Sequence, residues 1–165
     1  MSVFILLLVL TLLQAPTTPA DPPPAVRGDR FQLIVPQGWK TLNEGGFVLL
    51  QHTSGASLLV QRISRTTNLE NYAHRQAERI MMPLGFAQIG EPVHFKDGTN
   101  EWVEFEITGN RLSNPHRIAY RVIRRSTSYY ESVYEAPKEQ FEILLTEAQG
   151  IIASVQTVTP ARRRP

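Results

Sequence analysis

The chain has 165 residues, 42% of them apolar and 19% charged, a composition that supports one ordinary globular core and excludes a disordered or collagen-like polypeptide. It has no cysteine, which excludes a disulfide scaffold, thiolate-bound zinc and attachment of a lipid through an N-terminal cysteine. A net charge of +2, made from 14 Arg and 3 Lys against 15 acidic residues, gives little long-range attraction to nucleic acid or anionic lipid.

Residues 1–20 open with an apolar run, Met1 to Leu13, too short for the about 20 residues that cross a bilayer, followed by Thr18, Pro19 and Ala20. The pattern predicts a secretory signal peptide cut near Ala20, although the segment before the apolar run carries no Lys or Arg. The competing reading is an uncleaved anchor, the only route by which a membrane enters. Residues 21–28 begin DPPPA, a stiff extended linker.

The predicted domain runs from 29 to 157. Phe31 to Val35 reads as a strand ended by Pro36 and Gly38. Phe47 to His52 and Ser57 to Ile63 follow, joined by turns at Asn43–Gly46 and Thr53–Ala56, and the three are expected to form an antiparallel meander. Thr67 and Glu70 fit a capping box. The helix it opens carries Leu69, Tyr72, Ala73, Ala77, Ile80 and Met81 on one face and stops at Pro83 and Gly85.

A second meander comes next. Ala87 to Phe95 is interrupted by Gly90 and Pro92, which marks an irregular or edge strand, and Asp97-Gly98 is the strongest hairpin signal in the chain. Glu101 to Thr108 alternates Val103, Phe105 and Ile107 against Trp102, Glu104 and Glu106. His116 to Arg124 and Thr127 to Glu135 complete the set. Pro137 to Val155 then places Phe141, Leu144, Leu145, Ala148, Ile151, Ile152 and Val155 on one helical stripe. Residues 158–165, with Arg162, Arg163 and Arg164, are expected to be a disordered basic tail. The order predicts an α+β fold: an antiparallel sheet of six to seven strands in two meanders, flanked by two main helices.

FQLIVPQGW, SLLVQRI, NLENYA and YYESVYEAPKEQFEILLTEAQGIIASV together resemble the PsbP-like superfamily, which includes PsbP of photosystem II, the bacterial envelope protein DcrB and a yeast nuclear-import factor. The resemblance spans residues 29 to 157. It implies a sheet flanked by helices, an extracytoplasmic setting for the bacterial members, and a binding or assembly role without catalysis.

Candidate chemistry is sparse. His52, His74, His94 and His116 show no metal-ligand spacing, and no cofactor or metal is expected. Serines are present, but without a Gly-x-Ser-x-Gly elbow or a suitably placed Asp. Glu104 and Glu106 share one face of a strand, as Arg117 and Arg121 do on the next and Glu131 and Glu135 on the last. A cross-strand ion-pair ladder explains them, and a carboxylate-based hydrolase is the alternative. Trp102, Arg117, Arg121, Tyr129 and Tyr130 are the residue types enriched at binding hot spots. They define the candidate surface for an envelope or secreted protein partner, and an exported chain has no nucleic-acid partner in view. The expected function is thus a non-catalytic, periplasmic or secreted binding or assembly protein. A photosystem II-associated factor and a secretion-system adaptor or chaperone of the same fold are the other readings.

Overall fold

The computed structural model describes residues 24–158. The signal-peptide or anchor reading of residues 1–20 and the tail reading of 159–165 lie outside the described residues. Eleven strands and two helices follow in the order β1 (Ala25–Gly28), β2 (Phe31–Ile34), β3 (Trp39–Asn43), β4 (Phe47–His52), β5 (Ser57–Ile63), α1 (Leu69–Met81), β6 (Gly85–Ile89), β7 (Val93–Asp97), β8 (Asn100–Arg111), β9 (Asn114–Arg125), β10 (Ser128–Pro137), α2 (Lys138–Ala153) and β11 (Gln156–Thr157). The α+β class holds, with more strands than expected.

Eight strands form one antiparallel sheet in the order β3-β4-β5-β10-β9-β8-β6, with β7 also paired to β8. Strands β1, β2 and β11 form a separate small sheet. Two expectations are corrected here. The first meander is β3-β4-β5 rather than one that begins at Phe31, because β2 pairs with β1 and β11 instead. Ala25–Gly28, assigned to the linker, is a strand, aligned Ala25 to Ile34 and Gly28 to Phe31. Proline stops at Pro24, so each residue of this strand keeps the backbone N–H that pairing uses.

One face of the large sheet carries Trp39, Val48, Leu50, Leu58, Val60, Tyr130, Tyr134, Ala119 and Ile123, and it is covered by α2 and the small sheet through Phe31, Leu33, Phe141, Leu144, Ala148, Ile151 and Ile152. The other face carries Val103, Phe105, Ile107, Ile118, Tyr120 and Val122 beneath Ala73 and Ala77 of α1. Side chains that alternate across the strands thus feed two cores, one per face. The long hairpin β8-β9 and central β10 serve both.

Local signals explain the element ends, with one correction. Asn68, not Thr67, caps α1: its side-chain oxygen accepts from the Asn71 backbone N–H at 2.8 Å. Asx caps at least as well as Thr, and a cap at Asn68 starts the helix one residue later than the capping box would. Pro137 ends β10 with extended geometry (ψ 143°) and stands as the cap of α2 rather than inside its first turn. The Gly90–Pro92 interruption divides the sheet edge into β6 and β7, which pair with successive parts of β8, and the Gly90 N–H donates to Glu106 O at 2.8 Å across the break.

Candidate functional site

On the face covered by α2, the register aligns Phe95 of β7 with Trp102 of β8, and Glu104 of β8 with Arg121 of β9. The helix leaves this corner of the sheet uncovered. Phe95 and Trp102 stack with ring centroids 5.4 Å apart and planes 13° from parallel. The Arg121 guanidinium lies 4.3 Å from the Trp102 ring centre, so a column of Phe95, Trp102 and Arg121 runs across three strands. Cation–π and aromatic contacts of this kind stabilise by roughly 0.5–1.5 kcal/mol each. Phe95 is 45% exposed and Val93, two residues earlier on the same strand, 55%.

Between this column and the last turns of α2 is a groove of about 400 Å³. Trp102, Arg121 and Ile123 line the sheet side; Gln149, Ile152 and Ala153 line the helix side. Arg125 closes one end, donating to Val155 O at 2.5 Å, Ala153 O at 3.2 Å and Ile152 O at 3.3 Å. These carbonyls stand at the C-terminus of α2, where positive charge is favoured. Burial lowers the Arg125 pKa below its ordinary value. The groove thus has a mixed lining, with its cations already committed.

The expected ladder is present between β8 and β9 but does not reach β10, whose Glu131 and Glu135 point to the opposite face of the sheet from Arg117 and Arg121. Arg121 Nη2 lies 2.6 Å from Glu104 Oε2, and Arg124 Nη2 lies 2.8 Å from Glu101 Oε2. Arg117 holds both oxygens of Glu106 at 2.9 and 3.0 Å, reaches Glu142 of α2 at 2.6 Å and lies over the Phe141 ring at 4.1 Å. Hydrogen bonds donated to Glu106 raise the Arg117 pKa, and those donated to Glu135 raise that of Arg111. Glu104 and Glu106, the carboxylates of the hydrolase reading, are therefore both engaged by guanidinium groups.

The structure brings two of the five candidate residues, Trp102 and Arg121, into contact and places Arg117 further along, over Phe141. Trp102, Arg117 and Arg121 share one face along β8 and β9. Tyr129 and Tyr130 are adjacent in sequence and point to opposite faces of β10, and both are buried, Tyr130 to 1% exposure. The Tyr130 hydroxyl is 2.6 Å from Thr157 Oγ1 and its ring meets Phe31 edge-on, so it packs the small sheet onto the large one. Phe95, absent from the candidate set, completes the column. Its signal was the strong Asp97-Gly98 hairpin, which places it opposite Trp102.

One cluster was not foreseen. Glu131 is buried and accepts from the Tyr120 hydroxyl at 2.7 Å, from the Tyr72 hydroxyl at 3.5 Å and from the Gln61 side-chain amide. Burial, and then the Glu131 charge, raise the pKa of both phenols above the ordinary tyrosine value, that of Tyr120 strongly. The four histidines are dispersed. His52 Nδ1 is 2.9 Å from Ser54 Oγ, while His74, His94 and His116 each lie near one glutamate, Glu78, Glu70 and Glu135. Among the described residues no three His, Asp or Glu side chains converge on a point that could hold a metal. No described helix is long and apolar enough to cross a membrane.

No protein-family model matches the chain, and no curated protein sequence does. Solved structures do. CyanoP, the cyanobacterial PsbP of Synechocystis sp. PCC 6803, superposes with a TM-score of 0.58 at 10% identity, over 78% of this chain and 87% of its own. LpqN of Mycobacterium tuberculosis, involved in cell envelope biogenesis, gives 0.56 at 10% identity over 78% and 83%. PA94 of Pseudomonas aeruginosa, a protein of unknown function, gives 0.52 at 14% identity over 81% and 92%. At these identities the likeness establishes the fold.

Proposed function

We propose that this chain, which has the PsbP-like fold, is a non-catalytic binding or assembly protein of the cell envelope that docks a protein partner on the Phe95–Trp102–Arg121 column and the groove beside α2. The column is the observation that carries the reading. An aromatic pair and a guanidinium, partly exposed beside a groove of mixed lining, offer the anchor chemistry that dominates protein interfaces. The same groove is a poor setting for acid–base catalysis, because Glu101 and Glu104 are ion-paired and no nucleophile lies beside them. Export rests on the apolar N-terminal segment. The envelope role of LpqN and the extracytoplasmic setting implied by the PsbP-like resemblance support the same compartment.

The test is a photo-crosslinking residue placed at Phe95 in the full chain, expressed in a bacterium with a periplasm, with a second placement at Ile143, which is exposed on α2 away from the groove. A discrete adduct at Phe95, absent at Ile143 and lost with Trp102→Ala in a chain of unchanged circular dichroism, is expected, together with recovery in the periplasmic fraction. Identical adducts at both positions, or adducts indifferent to Trp102→Ala, overturn the docking surface. Recovery of the intact chain in the cytosol overturns the compartment and favours the adaptor reading.

A further inference from the structure

Three segments converge where strand β5 runs out into the loop that leads to α1. Asp29 comes from the β1-β2 turn, Arg62, Ser64 and Arg65 from the end of β5 and the loop after it, Thr127 from the β9-β10 turn and Tyr129 from the start of β10. Together they line a pocket of about 300 Å³. Two of these segments carry a non-glycine residue in the left-handed region next to a lining residue, Arg30 (φ 59°) and Ser126 (φ 53°). Such backbone costs about 1–3 kcal/mol per residue and persists where the surroundings impose it.

Arg62 is the residue in need of explanation. Arg111, Arg117, Arg121 and Arg124 each have a carboxylate within 4 Å, whereas Arg62 has none among the described residues. Its Nε is buried and without a hydrogen-bond acceptor. An unsatisfied buried donor costs about 1–3 kcal/mol, and more when charged. Arg65 stands beside it on the exposed rim, and Asp29 is the one acid in the lining, so the pocket has a net charge of about +1 by count of its side chains.

We infer that this pocket binds a phosphate group. A guanidinium without a carboxylate partner offers donors in a fork that matches two oxygens of an oxyanion, and Ser64 and Thr127 add hydroxyl donors to the lining. Two arginines and two hydroxyls supply more donors than the two oxygens of one carboxylate can accept in good geometry, while the three terminal oxygens and near-double charge of a phosphate monoester use them. Docking an oxyanion there gives Arg62 the counter-ion that it lacks among the described residues. The pocket lies on different strands from the Phe95–Trp102 column, so the two sites stand or fall separately.

The test is a ¹H–¹⁵N NMR titration of the purified chain with inorganic phosphate at constant ionic strength, balanced with sodium chloride, followed by the same titration with acetate. Saturable shifts confined to residues 29–31, 62–66 and 126–129 are expected, with acetate at least tenfold weaker. Arg62→Met should weaken phosphate at least tenfold and Arg62→Lys partly restore it. Arg65→Met, on the exposed rim where folding is not at risk, should weaken it several-fold, while Arg75→Met on α1 should leave it unchanged. Non-saturating shifts scattered over all surface arginines, equal response to acetate, or indifference to both Arg62→Met and Arg65→Met overturn the inference.

Discussion

Replacing Tyr120 with Phe removes one oxygen from the centre of the second core and nothing else. The hydroxyl donates to Glu131 Oε2 at 2.7 Å, both residues are buried, and the ring packs between the sheet and α1. A hydrogen bond to a charged group contributes about 1.5–3 kcal/mol, and the phenyl ring leaves no cavity, so Tyr120→Phe should cost about that much. Glu131→Leu should cost at least as much, because it strands the Tyr120 hydroxyl and the Gln61 amide, each worth about 1–3 kcal/mol when buried unpaired. In the Tyr120→Phe background one stranded donor is gone, so Glu131→Leu becomes less damaging. The double-mutant cycle therefore predicts a coupling of about 1.5–3 kcal/mol. Urea unfolding at pH 7 followed by the fluorescence of Trp39 and Trp102 measures it, with an unchanged denaturant slope as the condition for comparing the four proteins. A coupling below about 0.5 kcal/mol would show that the phenol and carboxylate are independent and refute the reasoning.

The same burial makes stability depend on alkaline pH. Tyr120 is held well above its ordinary pKa, and burial pushes Tyr134, whose hydroxyl donates to Phe141 O at 2.9 Å, up to about 12. Because the folded values are raised, this stability is complete below the unfolded tyrosine pKa of about 10 and is lost above it by about 1.4 kcal/mol per pH unit for each such group. Unfolding between pH 9 and 11.5 should show the fall, made shallower by Tyr120→Phe; an unchanged slope in that variant contradicts the assignment. At Gly109, an added Cβ would stand 2.9 Å from Leu84 Cβ and 3.3 Å from Gly85 O. Gly109→Ala should thus destabilise by about 1–3 kcal/mol in a thermal melt, and a neutral result would mean that the edge strand β6 moves freely. In the β8-β9 turn Leu112 and Ser113 both have positive φ, 49° and 71°, with Leu112 almost fully exposed. The double change Leu112→Asn, Ser113→Gly supplies the residues this turn favours and should raise stability by about 1 kcal/mol; a lower melting temperature counts against the turn geometry.

How far the fold could be read in the sequence followed how local each pairing is. The β7-β8 and β8-β9 hairpins were visible because alternation and a short turn together determine register, and Glu104 facing Arg121 follows from that register. Strand β3 was missed because WKTLN is five residues with Lys and Asn in place of apolar alternation, and it forms only because β4 offers an edge. Strand β1 was hidden by the three prolines just before it. The N-terminal strand β2 was legible as a strand but not in its pairing, since its partner β11 lies about 120 residues away beyond α2.

The site divides along the same line. Strand β10 is central and covered on both faces near its start, so SYYES is buried without a break and shows no period from which to tell which tyrosine faces where. That is why Tyr129 and Tyr130 read as one patch when they point to opposite faces of the sheet. Glu131 read as the partner of Glu135 in an exposed column, because the two share a face. Their environments differ through contacts that no local pattern encodes. Gln61 reaches Glu131 from 70 residues away and Tyr72 from 59, and both are delivered by the β5-β10 pairing and the docking of α1. The pocket around Arg62 has the same origin, three segments remote in sequence that meet where the strands end. In this chain, then, the groups that a hairpin assembles were legible and partnered, whereas the polar groups whose surroundings needed explanation, Glu131 and Arg62, lie where distant segments meet. A search of such a sequence for function should weigh the central strand and the inter-strand turns more heavily than the regular ladder, whose charges already satisfy one another.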